Sequence, residues 1–144
     1  MDYIDIGNER VSRFILGSNP FSGFSHQGPA MDLEMKRYYT IETIKRTLRE
    51  AEAVGVNTLI ARTDFHVIRM LLEYWDQGGT LQWFAQTCPE VGDHRTCVTR
   101  AALAGAKACH IHGGVMDYLL AQNVARLGLG DITAKHHKGM LAGG

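Results

Sequence analysis

An α/β fold, with four βα units on a parallel sheet behind an N-terminal β-hairpin, is what the pattern of this chain predicts. Two observations carry the prediction. Short apolar runs and amphipathic helical stretches alternate four times along the 144 residues. The last such run, Ala106–His112, ends in His110, His112, Gly113 and Gly114, as a buried parallel strand does when it breaks at its carboxyl end.

The elements follow in order. Tyr3–Ile6 and Val11–Gly17 are β-rich runs around the turn-forming cluster Gly7-Asn8-Glu9-Arg10, which predicts a hairpin whose second arm runs on into the first core strand. Ser18 to Tyr39 holds no steady period and reads as a long irregular loop, a length usually tied to function. Thr40 then stands where it can cap a helix carrying Ile41, Ile44, Leu48 and Ala51 at helical spacing, with Gly55 as its stop. Val56–Ala61 is the second strand. Asp64 is placed to cap a helix with Val67, Met70, Leu71 and Tyr74 on its apolar stripe, ended by Gly78-Gly79. Leu81–Thr87 is the third strand, and Asp93 is placed to cap a helix bearing Cys97, Val98, Ala101 and Ala102. After the fourth strand, Met116 to Leu127 reads as helical, and a further helical piece behind Asp131 fades into Gly143-Gly144. Tyr74, Trp75 and Trp83 read as packing between helices and sheet.

Composition bounds the function. At 45% hydrophobic content the chain can bury a core as a single domain, and its 15 basic and 15 acidic residues cancel, so nothing favours a nucleic-acid backbone or an anionic membrane. Acidic residues near the start and the lack of a long apolar run point to a cytoplasmic protein. Cys88, Cys97 and Cys109 show no C-x-x-C spacing and read as reduced thiols. No G-x-G-x-x-G or Walker pattern follows any strand, which leaves nucleotide binding without a motif.

Short, regular spacing between strands two, three and four favours neighbours wound in one direction, as in a TIM-type (β/α)8 barrel. Such a barrel takes about 250 residues, so the chain covers a (βα)4 half-barrel. Three resolutions follow: an incomplete chain whose last residues, Ala142-Gly143-Gly144, end a helix before a missing strand; a homodimer that closes a barrel from two halves; or an open four-stranded sheet.

Residues just after parallel strands gather at one rim, where barrel active sites lie. That predicts Asn19 and His26 from the first loop, Arg62, Asp64 and His66 after strand two, Gln86, Cys88 and Glu90 after strand three, and His110 with His112 from strand four. His112, His110 and Arg62 are the candidate catalytic groups; Asn19, Gln86, Gly113 and Gly114 are candidate substrate contacts. Asp64 and His66 form a candidate pair for a divalent metal such as Zn, Fe or Mn. Each has a simpler role available. Asp64 can serve only as a helix cap, His66 can sit solvated in a first helical turn, and His110 can be a hydrogen-bonded core residue. Cys88 is a nucleophile only if a base stands beside it, and His136-His137 among lysines read as a solvated face. The chemistry expected is acid–base or metal-assisted, on a small polar or anionic substrate.

The opening Ile4-Asp5-Ile6-Gly7 with Val11-Ser12-Arg13-Phe14-Ile15-Leu16-Gly17, and Gly55-Val56-Asn57-Thr58-Leu59 after it, resembles the start of aldo-keto reductases. The resemblance covers the first two βα units and implies a barrel fold, NADPH as a cofactor and an Asp-Tyr-Lys-His catalytic set. Laid on this chain, the Asp falls near Ile60, the Tyr on Phe65 and the Lys on Gln86 or Thr87, and His112 alone matches. Without the phenol and the lysine the family's proton transfer does not carry over. Leu16-Gly17-Ser18-Asn19-Pro20-Phe21-Ser22-Gly23-Phe24-Ser25-His26 also resembles the opening of barrel proteins of unknown reaction.

Overall fold

The computed structural model describes residues 1–88 and 90–123. Its elements are β1 (Tyr3–Ile6), β2 (Glu9–Ser12), β3 (Leu16–Gly17), α1 (Asn19–Ser22), α2 (Pro29–Tyr38), α3 (Ile41–Ala53), β4 (Thr58–Arg62), α4 (Phe65–Asp76), β5 (Gln82–Gln86), α5 (His94–Leu103), β6 (Ala108–His110) and α6 (Gly113–Asn123). The helical pieces predicted from Val124 onward, including those around Asp131 and His136, lie outside the described residues.

Strands β3, β4, β5 and β6 form a parallel sheet in chain order, each joined to the next through helical crossover segments, while β1 and β2 pair antiparallel in a separate hairpin. The hairpin's second arm therefore does not continue into the core sheet. It ends at Ser12, whose side-chain oxygen accepts from Asn57 N–H at 3.1 Å while its own amide donates to Asn57 Oδ1 at 2.8 Å. Those bonds turn the chain away from sheet pairing and tie the hairpin beneath the amino ends of the strands. Asn57 Nδ2 and Gln82 Nε2 both donate to the Arg10 carbonyl, at 2.8 and 2.9 Å, from the same side.

The three predicted caps are formed. Thr40 Oγ1 accepts from Thr43 N–H, Asp64 from Val67 N–H and Asp93 from Thr96 N–H, so α3, α4 and α5 each start where a short polar side chain satisfies a free amide. Gly55 and Gly78 carry φ of +89° just past α3 and α4, a conformation that favours glycine. Gly79 is required for a second reason: a Cβ there would collide with the buried Tyr74 ring.

Ser18–Tyr39 is not an irregular loop. It contains α1 and the ten-residue α2. α2 buries none of its residues, so it has no apolar stripe to show in a hydrophobicity pattern. It is marked instead by Pro29 at its first turn, Asp32 near its N-terminus and Lys36-Arg37 in its last turn, each suited to the helix dipole.

Alternation along the strands separates the sheet into two faces. Leu59, Ala61, Trp83 and Ala85 pack with Ile44 and Leu48 of α3, Val67, Met70, Leu71 and Tyr74 of α4, and Ala101 of α5 in one apolar core. Trp83 is fully buried and its indole N–H donates to the Ala61 carbonyl at 3.0 Å. The opposite face carries Thr58, Ile60 and Arg62 on β4, Gln82, Phe84 and Gln86 on β5, and Ala108 and His110 on β6. Gln82 Nε2 reaches Thr58 Oγ1 at 2.7 Å across this face. Among the described residues no helix is long and apolar enough to cross a membrane.

Candidate functional site

The register places Arg62 beside Gln86 and Gln86 beside His110, so three polar residues form one row across β4, β5 and β6 at the carboxyl edge of the face opposite the helical core. With neighbouring strands about 4.8 Å apart, Arg62 and His110 backbones stand roughly 10 Å apart with Gln86 between them. Four further residues, Asp64 nearby and Cys88, Glu90 and Phe24 distant in sequence, join the row through Arg62. Its Nε donates to Asp64 Oδ2 at 3.2 Å, its Nη1 to Glu90 Oε1 at 3.3 Å and its Nη2 to Cys88 Sγ, while its guanidinium carbon lies 4.6 Å from the Phe24 ring centroid. Burial works against the guanidinium charge, but Cys88, Glu90 and Asp64 together raise its pKa further, so Arg62 is a fixed cation.

Asp64 is both cap and ion-pair partner. Oδ1 accepts from Val67 N–H at 2.9 Å while Oδ2 receives Arg62. Cys88, buried beside this cluster, is held as a neutral thiol: burial first, and the Glu90 carboxylate 3.3 Å away second, push its pKa up to about 11. That state does not serve a nucleophile near neutral pH. Glu90 is held below the usual carboxylate range, mainly by the hydrogen bond from its own amide, against a partial burial penalty.

His110 is half-buried, and that burial, with the charge of His112 as the next cause, holds its pKa below the ordinary 6.5. His112 lies past the end of β6. Its amide donates to Thr87 Oγ1 at 3.1 Å, and its Nδ1 accepts from Gly114 N–H at 3.0 Å. In the neutral ring the proton therefore sits on Nε2, which is left as a donor. The same contact makes His112 the side-chain cap of α6, and it engages the Gly114 amide that the Gly113-Gly114 pair was expected to offer a substrate.

A cleft of about 400 Å³ opens beside Arg62 and Asp64. The rings of Phe21, Phe24 and Tyr39 form its apolar wall, with Phe21 and Tyr39 edge to face at 5.1 Å. Lys36, His66 and Ser22 supply further polar groups. Asn19 and His26 meet nearby in sequence, with Asn19 Nδ2 3.3 Å from His26 Nε2, and His26 adopts φ of +58°.

The structure thus joins Arg62 with Asp64, aligns Gln86 and His110 with Arg62, and places His66 in the cleft with both Arg62 and Asp64. Among the described residues no group of three or more His, Cys, Asp and Glu side chains is arranged to hold a metal ion. Asp64 and His66, expected as a metal pair, lack a third donor, and the Asp64 oxygens are engaged by Val67 and Arg62. Phe65, at the position matched to a catalytic tyrosine, is 68% exposed and lies under the Arg100 guanidinium. Lys36 was missed because α2 has no apolar period, and Phe24 and Tyr39 because they lie in the segments flanking it. The dipole-suited charges of α2 could have found it. No protein-family model matches the chain, and comparison with curated proteins and with solved structures gives no match.

Proposed function

We propose that this chain forms the rim of a barrel-type enzyme that performs acid–base chemistry on a small polar or anionic substrate at the carboxyl ends of its parallel strands. The observation that carries the reading is the row Arg62, Gln86, His110 at the carboxyl edge of the sheet face opposite the core packed by α3, α4 and α5. A depressed pKa keeps His110 neutral and able to accept a proton at pH 7. His112, with Nδ1 taken by the Gly114 amide, keeps Nε2–H as a hydrogen-bond donor to a substrate oxygen. Arg62, held by Asp64 and Glu90, sets a fixed positive charge at one end of the row, and the Gln86 amide hydrogen-bonds a substrate oxygen between Arg62 and His110.

In this reading the four-stranded sheet is half of a TIM-type barrel wall, and β3 and β6 are the edges along which a second half or a second copy of the chain completes it. The test is a titration of the full chain with acetate and with inorganic phosphate, followed through the imidazole C–H signals of His110 and His112. Saturable shifts, weakened about tenfold in Arg62→Gln, are expected. Imidazole signals that ignore both anions overturn the reading. Light scattering over a range of concentrations addresses the wall: a dimer is expected where the second copy closes it, and a strict monomer dismisses self-closure.

A further inference from the structure

We infer that the cleft between α1–α2 and the end of β4 takes a small carboxylate carried on a flat, unsaturated ring. The inference rests on the rim being the reactive edge and narrows what the rim receives. The charges in the cleft do not contribute equally. Arg62 and Asp64 hold one another, and Glu90 takes a further share of the guanidinium. Lys36 forms no ion pair among the described residues; its charge acts on Asp32, whose Oδ1 is already taken by the Ser25 amide and hydroxyl, and its ammonium can also serve a ligand. His66 makes no hydrogen bond there, and the enclosed Ser22 hydroxyl has no partner among the described residues. An ammonium and an imidazole at one opening suit an oxyanion.

The opposite wall argues against a bare ion. Phe21, Phe24 and Tyr39 turn aromatic surface into a cleft of about 400 Å³, within the range of small-molecule sites, which are largely apolar with a few placed polar groups. Acetate or phosphate would leave that wall wet. A ring stacked on it buries apolar area while its carboxylate reaches Lys36 and His66.

The experiment is an amide NMR titration of the full chain with benzoate, acetate, inorganic phosphate and benzyl alcohol. Benzoate should bind at least about tenfold more tightly than the other three, with shifts centred on Phe24, Tyr39 and His66. Lys36→Ala changes an exposed side chain and should weaken benzoate about tenfold while leaving benzyl alcohol unchanged. His66→Gln gives a second variant on an exposed position, expected to weaken benzoate by a smaller factor. Acetate or phosphate matching benzoate would overturn the ring while leaving the rim as an anion site. Benzyl alcohol matching benzoate would overturn the carboxylate. If no probe shifts the cleft but anions still shift His110, this inference falls and the rim reading stands; if neither responds, both fall.

Discussion

The two ends of the parallel sheet use polar side chains in opposite ways. At the amino end, Asn57, Ser12, Thr58 and Gln82 satisfy one another and the Arg10 carbonyl in a neutral network that bolts the hairpin to the sheet. At the carboxyl end, Arg62 gathers two carboxylates, a thiol and an aromatic face, while the exposed Lys36 and His66 line the cleft beside it with no ion pair among the described residues. A closed network of short neutral bonds gives rigidity and offers nothing to a ligand. A charged cluster with open donors gives up some of that stability and keeps binding capacity. The amino end closes its polar groups on one another, and the carboxyl end is where the proposed site lies.

Substitutions that separate the ends sharpen this contrast. The largest stability loss is expected for Asn57→Ala, which strands the amide of fully buried Ser12 and frees the hairpin; a loss of about 3 kcal/mol, read by urea denaturation, with ligand binding at the rim unchanged at low temperature, is the expected result. A loss below about 1 kcal/mol would show that the hairpin is not held by this network.

Asp64→Ala removes the α4 cap and one partner of Arg62, for an expected loss of about 1–2 kcal/mol. Asp64→Asn keeps the capping oxygen and should recover most of that stability while changing the charge beside Arg62. Thermal unfolding of both variants decides between cap and ion pair.

His110 gives a pH signature. Its folded pKa is held below 6.5 by burial first and His112 second, so between the two values the unfolded chain binds more protons than the folded one. Stability should therefore fall as pH drops from about 6.5 toward the lower folded value, and rise again on return. His110→Gln should flatten that part of the profile. An unchanged profile would mean that another group titrates there.

The smallest effect is expected at Glu90→Gln. Glu90 is 59% exposed on its side chain, and its pair with Arg62 is screened, so a change of about 0.5 kcal/mol or less is expected in denaturant. A larger loss would make the carboxyl end a structural network like its opposite.

The sequence by itself determined the local events. Thr40, Asp64 and Asp93 announce three helix starts, because a capping side chain and the amide it satisfies lie three residues apart. Gly55 and Gly78 announce two stops, and apolar runs between helical stretches announce the order β4, β5, β6 of a parallel sheet. Arg62, Gln86 and His110 were legible as rim residues, since parallel strands must end together. Only the tertiary structure decided the rest: that Arg62 reaches Cys88 and Glu90, 26 and 28 residues away, that Gly114 is engaged by His112, and that α2 brings Lys36 into the same cleft as Phe24. Those contacts depend on register and on where an element without an apolar stripe comes to rest. Neither leaves a periodic trace in the chain, because what sets them is the packing of surfaces that are distant in sequence.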